Sequence, residues 1–64
     1  MSIFSDNIKV LRGKRETTQQ ELADSLMITR SRYVSYEDGR SEPPYDVLIK
    51  ISKYFNISID LLLT

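Results

Sequence analysis

Apolar residues recur at helical spacing along most of the chain, and no segment shows strand alternation bounded by hairpin turns. Near the amino terminus, Phe4, Ile8 and Leu11 stand at positions i, i+4 and i+7. This spacing predicts a first helix of about ten residues that begins near Ser5 or Asp6. The segment G-K-R-E-T then connects it to the next helix.

Residues 18–39, T-Q-Q-E-L-A-D-S-L-M-I-T-R-S-R-Y-V-S-Y-E-D-G, predict two short amphipathic helices joined by a tight turn. The first begins with a capping box of Thr18 and Glu21, and its apolar stripe consists of Leu22, Ala23 and Leu26. Thr29 supplies a second N-cap, and the second helix runs to about Asp38. Gly39 follows, where a left-handed residue commonly ends a helix. The predicted unit is a helix–turn–helix.

The remaining segments predict two more helices. R-S-E-P-P is a loop, because two prolines cannot sit inside a helix. A fourth helix is expected from about Tyr45 to Phe55, with Asn56 as a left-handed stop, and Ser58 caps a last short helix through Leu63. The inward residues of the fourth helix are Leu48, Ile51, Ser52 and Phe55. The predicted fold class is all-α: a compact bundle of five short helices in a single domain, residues 1–64.

The composition of the chain excludes several classes of functional site. The chain has no cysteine and no histidine, which removes disulfides, thiolate metal sites and the commonest general base. Its nine acidic residues form no convergent pair along the predicted helices, so we expect no enzyme, no cofactor and no metal site. The start, M-S-I-F-S-D-N-I-K-V, does not resemble a signal peptide, and no apolar run is long enough to span a bilayer. We expect a cytoplasmic protein without a membrane partner.

Net charge is zero, but the basic residues are clustered. One group lies around the end of the first helix, and a second lies in or just after the second helix of the pair: Lys9, Arg12, Lys14 and Arg15, and then Arg30, Arg32 and Arg40. Local patches of this kind, rather than net charge, attract phosphates.

The second helix of the pair has two contrasting faces. With Tyr33 as the inward direction and 100° per residue, the inner side also holds Thr29, Tyr36 and Glu37. The outward side carries Ser31, Val34, Ser35 and Asp38, with Arg30 and Arg32 along its two edges. Small residues edged by arginine suit a helix that approaches another body closely, such as the major groove of B-DNA. The alternative interpretation is an ordinary solvent-exposed face, since exposed arginines are common.

The chain resembles the lambda-repressor and Cro type of helix–turn–helix domain, often called the XRE family. The resemblance rests on I-K-V-L-R, T-Q-Q-E-L-A, I-T-R-S-R-Y-V-S-Y-E-D-G-R and P-P-Y-D-V-L-I-K-I-S-K-Y-F-N-I-S-I-D-L-L, and covers nearly everything from Ile8 to Leu63. It implies sequence-specific binding of double-stranded DNA and transcriptional regulation, most often repression. It also implies a homodimer on a two-fold operator, in which each copy reads one half-site.

The resemblance also assigns roles to individual residues. The positions that read base edges are Arg30, Ser31, Val34 and Ser35. The positions that hold phosphates are Gln19, Arg32 and Arg40, with Lys14 and Arg15 as further candidates that are equally consistent with plain solvent charges. Asp38 would repel phosphates and is expected to cap or orient.

Three expectations concern the packing and the turn of the helix–turn–helix. Glu37 lies on an inner face and needs a partner, and Arg12 matches the family position that pairs with it, so we expect a structural salt bridge between them. Met27 occupies the turn position at which the family usually has glycine, so either its backbone is left-handed or the turn shifts. The hydroxyl groups of Tyr33 and Tyr36 need partners or must reach the surface.

The last segment, I-S-I-D-L-L-L-T, offers a possible dimer surface, for which Leu61 and Leu63 are the candidates. Family resemblance allows either a stand-alone regulator or the amino-terminal part of a longer repressor.

A second class of function is an alternative to DNA binding. Small helical domains of this shape also serve as protein–protein interaction modules, for example in antitoxins or dimerisation domains.

Overall fold

A computed structural model describes residues 3–64 of the chain, which form five α-helices and no strand. The helices are α1 (Ile3–Lys14), α2 (Gln19–Leu26), α3 (Arg30–Glu37), α4 (Tyr45–Phe55) and α5 (Ile59–Leu63). The predicted all-α class with five short helices is therefore confirmed. None of the helices in the described part of the chain has both the length and the hydropathy needed to cross a membrane.

Local side-chain chemistry explains most of the helix ends. Thr18 accepts a hydrogen bond from the Glu21 amide and Glu21 accepts one from the Thr18 amide, which is the predicted capping box. Thr29 and Ser58 cap α3 and α5 in the same way with single hydrogen bonds. At its carboxyl end, α4 stops at Asn56, which takes the left-handed conformation with φ 54°. The predicted start and stop signals are confirmed at these positions.

The limits of α1 differ from the prediction at both ends. The helix already includes Ile3, ahead of Ser5 and Asp6, and it continues through Gly13 to Lys14. Glycine weakens a helix but does not break it, and the Arg15 amide still donates to the Leu11 carbonyl at 3.2 Å. The chain leaves the helix only at Glu16, whose φ of 55° is left-handed. Nothing in the sequence marks Glu16 as that residue.

One core joins all five helices. Its buried apolar side chains are Phe4, Ile8, Leu22, Ala23, Leu26, Tyr33, Tyr36, Val47, Leu48, Ile51, Phe55 and Leu62. Leu11 and Ser52, expected inside, are half-buried at its edge. Thr29 is exposed, because its side chain turns back to cap α3. The core holds α3 by one side only and leaves its other side facing solvent.

Candidate nucleic-acid interface

The turn between α2 and α3 fixes how the two helices meet. Met27 ends α2 in the left-handed conformation, with φ 60° and ψ 41°. The Met27 amide donates to the Asp24 carbonyl at 3.1 Å, and the Ile28 amide donates to the Ala23 carbonyl at 3.1 Å. The turn therefore does not shift: a non-glycine residue adopts the backbone that glycine usually supplies. The Met27 side chain is 77% exposed and contributes little packing.

A buried carboxylate anchors the inner side of α3. Glu37 is 1% exposed and accepts hydrogen bonds from Arg12 Nε, Arg12 Nη2 (3.2 Å), Tyr33 OH and Gln19 Nε2 (3.2 Å). Arg12 also donates from Nη1 to the Thr17 carbonyl at 2.9 Å. The expected ion pair between Arg12 and Glu37 is thus present in the structure and joins α1 to α3, and the hydrogen bond from Gln19 adds α2 to the same cluster.

The charges in this cluster support one another. Burial by itself raises the pKa of Glu37, but hydrogen bonds from Arg12, Tyr33 and Gln19 outweigh burial and hold that pKa below its ordinary value. The hydrogen bond to Glu37 raises the pKa of Arg12. Burial, and then the hydrogen bond to Glu37, raise the pKa of Tyr33. The cluster therefore contains one carboxylate, one guanidinium and one neutral phenol at neutral pH.

The outward side of α3 matches the predicted division of faces. Arg30 and Ser31 are exposed, and Val34 is half-buried. Arg32 is also exposed, and its Nε donates to the hydroxyl group of Tyr36 at 2.9 Å. This contact supplies the partner that the buried Tyr36 needs. It leaves both terminal nitrogens of the Arg32 guanidinium available for an anion.

Ser35 is more constrained than a free base-reading side chain. Its hydroxyl group donates to the Arg32 carbonyl at 2.7 Å and lies 2.7 Å from the hydroxyl oxygen of Ser41. Since a hydroxyl group has one proton, Ser41 is the donor in that pair. The Arg40 amide donates to the Ser35 carbonyl at 3.0 Å. Ser35 therefore holds the loop after α3 against the helix, and it can donate to a base only after reorientation.

The expected phosphate contacts are distributed over the surface around α3. Gln19, the first residue of α2, lies half-buried between Glu37 and Arg30, whose Nη2 donates to Gln19 Oε1 at 3.3 Å. Arg40 forms an exposed ion pair with Asp38 at 3.1 Å. Asp38 stands at the C-cap position of α3, where its backbone amide donates to the Val34 carbonyl at 2.9 Å and its side chain pairs with Arg40. Its expected capping and orienting role stays a prediction.

The two further phosphate candidates differ from each other. Lys14 is exposed in the last turn of α1. The Arg15 guanidinium instead lies over the rings of Tyr54 and Phe55, at 5.2 and 5.4 Å from their centres. Arg15 thus has a cation–π role in the protein itself, whereas Lys14 has the character of a solvated charge.

The two dimer candidates are exposed but belong to different surfaces. Leu61, 60% exposed, lines a shallow apolar depression with Val10 and Ile57. Leu63, 49% exposed, lines a separate groove of about 700 Å³ with Ile3 and Tyr45. A short helix that presents its apolar residues to two sides cannot place both candidates at the centre of one small contact.

Sequence reasoning missed two residues whose side chains hold neighbouring segments together: Ser41 beside the outward face of α3, and Asn7 between α1 and α5. Ser41 braces Ser35, as described above, and its only sequence signal is its place two residues after the left-handed Gly39. Asn7 donates to the Leu62 carbonyl at 2.9 Å and so holds the end of α5 against α1. No pattern in the sequence marks Asn7, because its partner lies 55 positions away.

The helix-turn-helix family model matches residues 8–62, which is most of the chain. The chain belongs to the lambda-repressor-like helix-turn-helix family. The predicted family is therefore confirmed. This helix-turn-helix chain also superimposes on the solution structure of the SOS-response transcriptional repressor LexA from Eubacterium rectale. The TM-score is 0.93 at 29% identity, covering 97% of this chain and 66% of that one.

Two relatives illustrate the range of the family. The HTH-type transcriptional regulator YqaE of Bacillus subtilis is 48% identical over 61 residues, which make up 95% of this chain and 53% of that protein. The cryptic phage CTXphi transcriptional repressor RstR of Vibrio cholerae is 30% identical over 57 residues, 89% of this chain and 51% of that protein. This helix-turn-helix chain spans about half the length of these two relatives.

Proposed function

We propose that the chain binds double-stranded DNA in a sequence-specific manner, as a transcriptional regulator of the repressor type that places α3 in the major groove. One observation carries the proposal: α3 is anchored by buried Tyr33, Tyr36 and Glu37, and its free side presents small residues between Arg30 and Arg32. A helix held in this way can enter a groove without losing its packing on the core. The names of the relatives support the same function, which belongs to no enzyme class.

The proposed contacts divide into two kinds. Base edges are read by Arg30, Ser31, Val34 and Ser35, among which Arg30 can form the bidentate contact to guanine and Val34 can pack on a thymine methyl group. Phosphates are held by Gln19, Arg32 and Arg40, with Lys14 as a more peripheral contact and Arg15 the weakest candidate. The phosphate contacts fix the register of α3 in the groove and carry no sequence information themselves.

A homodimer on a two-fold operator completes the proposal. One recognition helix covers too few base pairs for useful selectivity, so proteins of this kind bind two half-sites about one helical turn apart. Leu61 and Leu63 are exposed on two different surfaces of α5, and either surface offers an apolar contact for self-association. The site of action is then the cytoplasm, with neither a membrane nor a cofactor involved.

The test combines selection with salt dependence. Duplexes are enriched from a random pool, and affinity for the selected sequence is measured by fluorescence anisotropy at several salt concentrations. We expect Arg30→Ala to cost about 1–3 kcal/mol and to relax preference at one position. Arg32→Ala and Arg40→Ala should each lower the slope of log K against log[salt] by about one. Lys53→Ala, an exposed lysine on α4, is the matched control and should leave both quantities unchanged.

Failure to enrich any sequence would contradict the proposal, and so would a Lys53→Ala effect equal to that of Arg32→Ala.

The second candidate function is a protein-interaction module. It is favoured by the exposed apolar side chains of Ile3, Tyr45 and Leu63 around one groove. Such a module would bind its partner with little salt dependence and would show no preference among duplexes.

A further inference from the structure

The hydroxyl group of Tyr36 and the guanidinium of Arg32 contact each other on α3. Arg32 Nε donates to the Tyr36 hydroxyl oxygen at 2.9 Å. The two residues stand four positions apart, so they are neighbours on the helix, and because helical side chains lean toward the amino end, the tyrosine reaches back to Arg32. A residue of the core is therefore connected to an exposed cation on the surface proposed to bind DNA.

Burial fixes the position of the acceptor in this contact. Tyr36 is 2% exposed and belongs to the hydrophobic core, so its hydroxyl oxygen sits at the end of a rigid ring that the core holds in place. A hydroxyl group beside the core costs free energy unless it has a hydrogen-bond partner, whereas the ring alone would fill the same space. The apolar core therefore gains nothing from the hydroxyl group, which instead holds the exposed Arg32.

The contact orients Arg32 without neutralising its charge. The ion pairs within residues 3–64 involve other arginines, Arg12 with Glu37 and Arg40 with Asp38. A hydroxyl group carries no formal charge, so unlike a carboxylate it does not compete with a phosphate for the cation. A guanidinium is a planar fork with five N–H donors, and a bond at Nε leaves those on Nη1 and Nη2 for an anion.

We propose that Tyr36 is a positioning residue for phosphate binding: its hydroxyl group holds the Arg32 guanidinium by Nε, so that Nη1 and Nη2 face a DNA phosphate beside α3. This proposal rests on the proposed function and adds to it a residue that itself touches no DNA. An arginine side chain loses rotational freedom when it binds, and an acceptor that restricts it beforehand lowers that loss. Since phosphate contacts carry no sequence information, the gain in affinity is the same for every duplex.

The test uses Tyr36→Phe, which removes one oxygen atom and keeps the buried ring. Tyr54→Phe is the matched control, because this half-buried tyrosine on α4 also lies beside an arginine. The Arg15 guanidinium lies over the face of the Tyr54 ring, 5.2 Å from its centre, and phenylalanine keeps that contact, while the Tyr54 hydroxyl group contacts Thr17 instead. Fluorescence anisotropy gives the affinity for the selected duplex and for a scrambled duplex at several salt concentrations.

We expect Tyr36→Phe to weaken binding to both duplexes by about 3-fold to 10-fold, the range for one immobilised side chain, and Tyr54→Phe to change neither affinity. The slope of log K against log[salt] should stay as in wild type, because the Arg32 charge is still present, whereas Arg32→Ala lowers that slope by about one. In the Arg32→Ala background, Tyr36→Phe should cause no further loss, because the group that it positions is absent.

Three results would overturn the proposal. The first is wild-type affinity in Tyr36→Phe, and the second is a loss confined to the selected duplex. The third is a loss that persists undiminished in the Arg32→Ala background, which would mean that the hydroxyl group acts through the packing of α3 and not through Arg32.

A second measurement needs no DNA. The ¹⁵N order parameter of Arg32 Nε should fall in Tyr36→Phe and not in Tyr54→Phe, and an unchanged value in Tyr36→Phe would overturn the proposal alone. The proposed function can fail separately: a wild-type chain that binds both duplexes equally contradicts sequence-specific recognition and leaves the role of Tyr36 standing, because the phosphates are the same in both. A wild-type chain that binds neither duplex contradicts both.

Discussion

Replacement of Arg12 by methionine removes the cation that neutralises Glu37 while keeping the aliphatic stem of the side chain. The Glu37 side chain is 2% exposed and the Arg12 side chain 21% exposed, so the pair is buried chiefly on the acidic side. Loss of one partner from a fully buried pair costs about 3–5 kcal/mol, because the other charge stays buried and unpaired. Tyr33 and Gln19 still donate to Glu37, so we expect the lower end, about 3 kcal/mol.

The assay is urea unfolding followed by far-ultraviolet circular dichroism at pH 7. For a chain of 64 residues the m value is about 1 kcal/mol per M, so the midpoint of Arg12→Met should fall by about 3 M. Lys9→Met is the matched control: it removes an exposed cation from the same helix and should change stability by less than about 0.5 kcal/mol.

Glu37→Gln should have opposite effects in two backgrounds. In the wild-type chain it removes half of an ion pair and destabilises the protein. In Arg12→Met it removes an unpaired buried charge and keeps an acceptor for Tyr33, so it should stabilise that variant. The reasoning is refuted if Arg12→Met shifts the midpoint no more than Lys9→Met does, or if Glu37→Gln destabilises both backgrounds.

Three further predictions concern acid, the turn and self-association. Because the pKa of Glu37 is lower in the folded chain than its ordinary value of 4.5, its stabilisation is fully present above that pH and is lost as pH falls through the folded value. Urea midpoints between pH 6 and pH 2 should therefore fall less steeply in Glu37→Gln than in wild type or in the exposed control Glu42→Gln. Met27→Gly should raise stability by about 0.5–1 kcal/mol, since glycine carries no left-handed penalty and the methionine side chain packs little; an unchanged or lower urea midpoint would show that the turn is not strained. Sedimentation equilibrium should detect wild-type dimers that Leu61→Lys or Leu63→Lys weakens, and whichever variant acts identifies the apolar surface used; a monomer at every concentration would contradict self-association of this chain.

Most of the fold could be predicted from local sequence signals, chiefly the residues that cap the helices. Thr18, Thr29 and Ser58 each cap the helix that the sequence assigned to them, because capping depends on residues within one turn. The end of α1 was predicted wrongly because no local signal marks it. Gly13 and the following charged residues are compatible with either helix or loop, and the left-handed Glu16 has no sequence signature.

The candidate site was only partly predictable, because its contacts join distant positions. The inner position of Glu37 follows from helical periodicity, and the family supplies Arg12 as its partner. The contact between Gln19 and Glu37 spans 18 positions, and it exists only because α2 and α3 meet at a fixed angle. Helical periodicity was also insufficient in α5: over five residues it could not predict that Leu61 and Leu63 face different surfaces.

The central claim is that α3 and the start of α2 face DNA, and chemical-shift mapping tests it most directly. The ¹⁵N-labelled chain is titrated with the selected duplex and, at the same salt concentration, with a scrambled duplex. The account predicts that the selected duplex gives the largest specific amide shifts at 18–20, 30–35 and 40, with small shifts at Val10 and Tyr45. Specific shifts centred on Val10, Tyr45 or α5, with α3 unchanged, would contradict it.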